Sequence, residues 1–518
     1  MAEFMNQLAT EAKSMDPNLA VTENGAVGYR TTGKSIVDLN FAASSMRNMT
    51  DDEIWFRFLA VYNENRFLAM IWLFFARDPR GGMGERRIFR VIFTRMCYEN
   101  SDLAFKLLPL IPEYGRWDDL VMLMGAEISL DVRREVKRII SGQLEQDLKN
   151  MSAKKPISLL AKWMPSLNTS SKPSRRLAEE IRKALGYSHQ QYRRTLFSLR
   201  NYLKVVEKSM SSKEWDQIDY SAVPSRASMI YRDAFARHDA HRYAEYLSNV
   251  KSGEEKINAG VLFPYDIVRA YMATDDYGWE EGTKPYNETL EQQWKALPYC
   301  VPDGQSTLVV VDGSGSMSTR VGKTNTTCHD VARSLGIYFA EKLTGPYKDT
   351  FITFSSSPRV ITLNPALSLK SKIDILIKED ECSNTNLKAT FDLILNTAVK
   401  NHLKQSDLPA NILIVSDGEF DGMTYGNGDK KRLFERITEE YEEAGYKLPR
   451  LVFWNVCSRT GTIPVIENDY GVALVSGFSP TIADMVMSSR LDPAECLMDK
   501  LMSDRYKPVR EAMGDLNG

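Results

Sequence analysis

The stretch Leu308-Val309-Val310-Val311-Asp312-Gly313-Ser314-Gly315-Ser316-Met317 decides how this chain is read. Four apolar residues without a polar break mark a strand covered on both faces, as in a parallel sheet between layers of helices. Oxygen-bearing side chains follow at once, with Asp312, Ser314 and Ser316 at alternate positions. Open α/β sheets bind ligands at the carboxyl ends of their strands, and one carboxylate with two hydroxyls suits a hard divalent cation such as Mg²⁺. The plainer alternative is an Asp-Gly-Ser-Gly turn that caps the next helix.

Downstream, strand-like runs at 308–311, 350–354, 360–363, 412–415, 451–456 and 472–475 alternate with helical periodicity at 328–343, 367–377, 386–403, 430–444 and 480–488. The alternation predicts a doubly wound α/β domain over 305–488. Two of its loops repeat the oxygen-rich ending: Ser383-Asn384-Thr385-Asn386 precedes a helix, and Asp417-Gly418-Glu419 follows the run 412–415.

Upstream the period changes. Ile54, Phe58 and Val61, then Leu68, Ile71, Trp72 and Phe75, recur at helical spacing. Helix pairs with short links at 78–87 and 115–120 predict an α-helical repeat domain over 51–304, HEAT-like and open or closed into a ring. The glycines of 78–87 serve either as a turn or as a close approach of backbone to an anion. Residues 1–50 form an N-terminal extension and 489–518 an amphipathic, charged helical tail. Within the extension, Gly28-Tyr29-Arg30-Thr31-Thr32-Gly33-Lys34-Ser35 matches the phosphate-loop pattern. It lacks the buried strand that such a loop follows, so a surface loop is the reading preferred to a nucleotide site.

The chain has 518 residues and a net charge of -2, which predicts neither a nucleic acid nor a membrane partner from the molecule as a whole. Charge is concentrated, however: residues 151–251 hold 19 Lys and Arg against 9 Asp and Glu. Arg175, Arg176, Arg182, Lys183, Arg193, Arg194, Arg200, Lys204 and Lys208 lie on helical sequence interleaved with Tyr187, Tyr192, Phe197 and Tyr202. Cations between rings suit single-stranded nucleic acid; a solvated helix face over core aromatics fits equally. The six cysteines stand singly with no C-x-x-C pair, which points to reduced thiols in a cytoplasmic protein and away from zinc. The most apolar window, 67–75, is far shorter than the roughly 20 residues of a membrane span. The first fifteen residues carry acids and no long apolar core, unlike a signal peptide. His238 and His241 read as a helix-surface pair rather than a metal site.

Together, Asp312, Ser314, Ser316, Thr385 and Asp417 resemble the metal-ion-dependent adhesion site of von Willebrand factor A domains, with three separated segments in that family's order. The resemblance implies that Ser314, Ser316 and Thr385 bind Mg²⁺ or another divalent cation directly, and that Asp312 and Asp417 hold it through water. Ser383-Asn384-Thr385 stands where Gly-Gly-Thr is commoner. An ion held mainly by neutral hydroxyls keeps positive charge for a partner protein's acidic side chain. No nucleophile with a general base accompanies it, so the domain reads as a binding module and not an enzyme.

A helical array followed by such a domain resembles the Ro autoantigen family, whose TROVE domain binds RNA, and most of all a Ro-like family of phages, bacteria and plants. Gly186-Tyr187-Ser188-His189-Gln190-Gln191-Tyr192-Arg193-Arg194 is similar to that family's Gly-Trp-Ser-His-x-x-x-x-Arg, and Arg80-Gly81-Gly82-Met83-Gly84-Glu85-Arg86 is also family-like. Phe263-Pro264-Tyr265-Asp266-Ile267-Val268 is similar to His-Pro-Phe-His-Ile-Leu, with Phe263 and Asp266 replacing the two histidines. The resemblance implies RNA contacts at Lys183, His189, Arg193, Arg194 and Arg200, to single-stranded ends or small structured RNA. The expected function is a monomeric, non-enzymatic RNA-binding protein that holds single-stranded or misfolded RNA and recruits a partner through the metal. The alternatives are a protein adaptor that ignores nucleic acid and, third, a nucleotide hydrolase using Gly33, Lys34 and Ser35.

Overall fold

The computed structural model describes residues 17–274, 280–301, 306–322, 324–354, 357–379, 384–421, 433–465, 471–479, 482 and 492–514. The chain divides into two compact units: Met1–Thr50 with Phe263–Tyr286 and Tyr299–Leu501, and Asp51–Leu262 with Asn287–Pro298 and Met502–Gly518. Helices dominate the second unit and a mixed sheet lies at the centre of the first, as the change of period requires.

In the sheet unit, β1 (Leu19–Val21) and β2 (Val27–Tyr29) form an antiparallel hairpin. The main strands are β3 (Thr307–Asp312), β4 (Thr350–Phe354), β5 (Arg359–Thr362), β6 (Asn411–Ser416), β7 (Arg450–Asn455) and β8 (Val472–Ser476). They lie in the order β8-β7-β6-β3-β4-β5, parallel except for the β4 to β5 pair. Every residue of β3, β6, β7 and β8 is buried, which is why these strands read as unbroken apolar runs and not as alternations. All six expected strands are present, and the helices at 328–343, 367–377, 386–403 and 430–444 correspond to Cys328–Lys342, Leu369–Glu379, Leu387–Lys400 and Leu433–Glu443. The helix read at 480–488 lies outside the described residues apart from Ile482, as do Ser383 and the domain limits at 305, 488 and 489.

Strand order turns on β3. The chain moves from β3 to β4 on one side, then fills the other side with β6, β7 and β8, so the carboxyl ends of β3 and β6 flank a topological switch point. Helix Cys328–Lys342 packs against β3, and at Gly336 a Cβ would stand 2.7 Å from Val311 Cγ2. Only glycine lets the helix sit so close.

In the helical unit, helix Arg66–Arg77 is capped by the Asn65 side chain, which accepts from Leu68 N, and is buried from Ala69 onward. Phe74 meets Phe89 and Tyr114 edge-on, with centroids 5.5 and 5.4 Å apart. The apolar window at 67–75 is thus core, and no helix among the described residues is long and apolar enough to cross a membrane. Its following link is a turn: a Cβ on Gly82 would fall 1.9 Å from Phe75 O, and the Asp78 carboxylate takes Arg80 N at 3.0 Å and Arg505 Nε at 2.8 Å. A separate aromatic core joins Tyr220, Phe235, Tyr243 and Tyr246.

One buried ion cluster ties the first helices together. Asp119 Oδ2 accepts from Arg77 Nε at 2.9 Å, Arg77 Nη2 at 2.7 Å and Arg116 N at 3.0 Å, while Oδ1 takes Arg90 Nε at 2.5 Å. Burial pushes the Asp119 pKa up, but the charges and hydrogen bonds of Arg77 and Arg90 outweigh it and hold the carboxyl below its ordinary value. Asp119→Ala is expected to destabilise the helical unit by about 3–5 kcal/mol in a urea titration, because Arg77 is left buried without a counter-charge. The stabilisation is complete above the unfolded carboxyl pKa of about 3.9 and is lost as pH falls through the lower folded value.

Candidate metal centre and nucleic-acid interface

Asp312 closes β3 and is buried. Its Oδ1 accepts from Ser314 N at 2.9 Å, and its Oδ2 accepts from the Ser416 hydroxyl at 2.5 Å. The Ser314 and Ser316 hydroxyls lie 3.0 Å apart. Asp417, the residue after β6, is buried; its Oδ1 accepts from Glu419 N at 3.2 Å, the Ser316 hydroxyl bonds to its carboxylate, and Oδ2 has no hydrogen-bond partner. Thr385 is buried and reaches the same edge through its carbonyl, which accepts from Asp421 N at 3.1 Å. The five residues singled out for metal in the sequence therefore stand on three loops at the switch point.

Electrostatics make the donor set unsatisfied by itself. Burial, then the charge of Asp417, push the Asp312 pKa up to about 7, and burial raises that of Asp417 too. Two buried carboxylates, one with an orphaned oxygen, fit a divalent cation, whose charge would favour both as anions. Among the described residues no group of three or more His, Cys, Asp and Glu is arranged to hold a metal. A cation held here would draw its other ligands from hydroxyls, and that oxygen-only chemistry suits Mg²⁺ or Mn²⁺.

Sequence reasoning missed the supports. Ser416 orients Asp312, and His329 bonds through its ring to backbone of Gly313 and Ser314, fixing the first loop from helix Cys328–Lys342; burial pushes its pKa well down, so it does so neutral. Glu419 is buried and its carboxylate collects Glu23 N, Ser458 Oγ, Arg459 N and Thr460 N. Of these only Glu419 carried a local signal, as the third residue of Asp-Gly-Glu. The others depend on pairings across the sheet unit.

The phosphate-loop match has a different structure. Helix Ser35–Ala42 follows the 28–35 segment, but Asp38 in its first turn accepts from Thr32 N at 2.9 Å and from the Thr31 and Thr32 hydroxyls. Lys34 Nζ pairs with Asp492 Oδ2 at 2.8 Å. A carboxylate of the chain itself thus sits where a phosphate would be cradled.

In the helical unit, Gly186 ends helix Lys172–Leu185 at φ 72°, and the Ser188 hydroxyl accepts from Gln191 N to start helix His189–Tyr202. The Gly-Tyr-Ser-His segment is therefore stop-and-start chemistry between two helices. Arg193, Arg194 and Arg200 line a cavity of about 740 Å³ with Lys162, Phe197 and Lys208. Lys183 and His189 are exposed but not among its lining, and His189 Nε2 lies 3.3 Å from Glu179. Arg200 is largely committed to structure, donating to Ala161 O, Met164 O and Ser166 Oγ. Tyr192 is buried with its hydroxyl on Pro165 O, whereas Phe197 is 61% exposed. Lys208 Nζ stands 5.7 Å from the Phe197 ring centroid.

Fold and edge together define the chain as an α-helical domain joined to a doubly wound α/β domain that carries an oxygen-rich candidate metal site. The family described as domain of unknown function DUF7788 matches residues 306–512, and DUF2828, also a domain of unknown function, matches residues 132–301. A protein of Acanthamoeba polyphaga mimivirus, described as uncharacterized protein L728, is 30% identical over 529 residues, covering 95% of this chain and 89% of that one. The chain belongs to the family of that protein. Among solved structures, the Deinococcus radiodurans RO (RSR) protein aligns with 84% of this chain and 90% of its own at 12% identity and a TM-score of 0.38.

Asp312→Ala is expected to weaken Mn²⁺ binding by about tenfold or more in an electron paramagnetic resonance titration, while Lys34→Ala leaves it unchanged.

Proposed function

We propose that this chain is a non-catalytic RNA-binding protein of the cytoplasm, active as a monomer, that holds single-stranded or misfolded RNA on helix His189–Tyr202 and recruits an acidic partner through a divalent cation at the sheet edge. One observation carries the RNA reading: Phe197 stands exposed at a cavity whose other walls include Arg193, Arg194, Lys162 and Lys208. An exposed ring offers a base its π-face, and the surrounding cations offer its phosphates their counter-charge. Support also comes from the Ro-like sequence of the segment that starts this helix.

In this reading Arg193 and Arg194 take phosphates, Phe197 takes a base, and Arg200 holds the cavity wall through its bonds to residues 161–166. Lys183 and His189 extend the basic surface toward the start of the helix. The metal edge takes no part in RNA contact. There Ser314, Ser316 and Thr385 would hold the cation, with Asp312 and Asp417 behind them, and the cation would supply a Lewis-acidic position for a carboxylate. A protein adaptor that ignores RNA is the second reading, favoured by the orphaned Asp417 oxygen, which speaks for the metal edge alone.

The test is fluorescence anisotropy with a labelled oligouridylate over a salt series. Arg193→Glu with Arg194→Glu is expected to cut affinity and to flatten the slope of log K against log salt by about 1.4, at about 0.7 for each phosphate no longer neutralised. Phe197→Ala should cost about 1–3 kcal/mol with the slope unchanged. Failure of the wild type to bind at low salt leaves the adaptor.

A further inference from the structure

The turn of the N-terminal hairpin, residues 22–26, is bound onto the second and third metal loops. Thr22 Oγ1 donates to Phe420 O at 2.6 Å, Asn24 Nδ2 donates to Glu419 O at 2.7 Å and to Thr385 Oγ1 at 3.2 Å, and Gly25 bridges to Asp421. Glu23 gives its backbone N–H to Glu419 Oε2 at 2.9 Å, and its carboxylate faces Arg459, with Oε2 to Nη2 at 2.6 Å. That same Nη2 is 3.7 Å from Asp417 Oδ2, the buried oxygen without a hydrogen-bond partner. Arg459 Nη1 also donates to Thr319 Oγ1, just beyond the first metal loop, at 3.1 Å.

We infer that Arg459 is a built-in competitor for the metal and that Glu23 withholds it from Asp417. The inference rests on the reading of the sheet edge as a divalent-cation site. A guanidinium 3.7 Å from a buried carboxylate gains by moving into hydrogen-bond range once Glu23 releases it, since an ionic hydrogen bond there displaces no existing bond of the Asp417 oxygen. Doing so fills the Asp417 oxygen and places a positive charge beside the cation position. Two restraints hold it back, the Glu23 carboxylate and the Thr319 hydroxyl, and Glu23 is the charged one. Side chains of Glu23 and Arg459 are 58% and 32% exposed, so the pair is weak and screened by salt. The hairpin turn thereby sets metal affinity: seated, it keeps Arg459 off Asp417; detached, it releases the competitor and also frees the Thr385 hydroxyl from Asn24.

The experiment is a Mn²⁺ titration of the full chain followed by electron paramagnetic resonance of the free ion. Glu23→Gln is expected to weaken Mn²⁺ binding by about two- to fivefold by freeing the guanidinium. Arg459→Ala should bind at least as tightly as the wild type, and the double variant should bind like Arg459→Ala. Unchanged affinity in Glu23→Gln overturns the inference, and so does a double variant as weak as Glu23→Gln, because then Glu23 acts by seating the hairpin and not through Arg459. If the wild type and Asp312→Ala take up Mn²⁺ alike, the metal reading itself is wrong and this inference falls with it. A response to Asp312→Ala without one to Glu23→Gln removes this inference alone.

Discussion

Two carboxylates buried side by side at the ends of adjacent strands are the constraint on which the sheet unit depends. Parallel pairing sets Val311 beside Val415, and the next residues, Asp312 and Ser416, are then neighbours, with Asp417 one step further. The chain cannot bury those groups cheaply without compensating charge or hydrogen bonds. Much of the surrounding structure is that compensation. Ser416 and Ser314 N serve Asp312, Glu419 N and Ser316 serve Asp417, and His329 holds the loop backbone between them. What these donors leave over is one oxygen on Asp417; the hydroxyls of Ser314 and Ser316 bond to each other and that of Thr385 accepts from Asn24, all oxygens of the kind a hard cation uses.

How far the sequence reveals this depends on the range of the interaction. Strands β3, β6, β7 and β8 were legible because burial on both faces writes itself into consecutive residues. The oxygen-rich loops after β3 and β6 were legible for a related reason: a strand's end and the turn after it are contiguous, whereas Thr385, between helices Leu369–Glu379 and Leu387–Lys400, had only its oxygen-bearing neighbours to mark it. Ser416, His329 and Arg459 were not, because each acts on a residue brought near only by sheet register or helix packing. The hairpin at 19–29 is the extreme case. As sequence it belongs to a polar, Gly-rich extension and merely overlaps the start of the phosphate-loop match at 28–35, and its place in the fold follows only from bonds to residues some 400 positions away.

The helical unit shows the opposite difficulty, since its charges are plentiful and sequence could not sort them. Of the arginines on helix His189–Tyr202, Arg200 spends its donors on the carbonyls of Ala161 and Met164 and the hydroxyl of Ser166, while Arg193 and Arg194 face solvent. The aromatics divide likewise, with Tyr192 inside and Phe197 outside. A packed face and an exposed basic face, the two possibilities open at the sequence level, are therefore both present on one helix. Helical periodicity assigns the faces in principle; the cavity wall formed by residues 162–168 decides which exposed face is lined.

Gly336 has a consequence for the rim as a whole. His329 lies seven positions before it on the same helix, roughly 10 Å along the axis, and reaches back to the first loop. The close seating of Gly336 on Val311 fixes how deep the helix lies, and so the height at which His329 meets Gly313 and Ser314. A single added methyl there would lift the helix and tilt the loop without touching any ligand. The spacing of the oxygens is thus gauged from inside the sheet, by the one residue type whose side chain has no thickness.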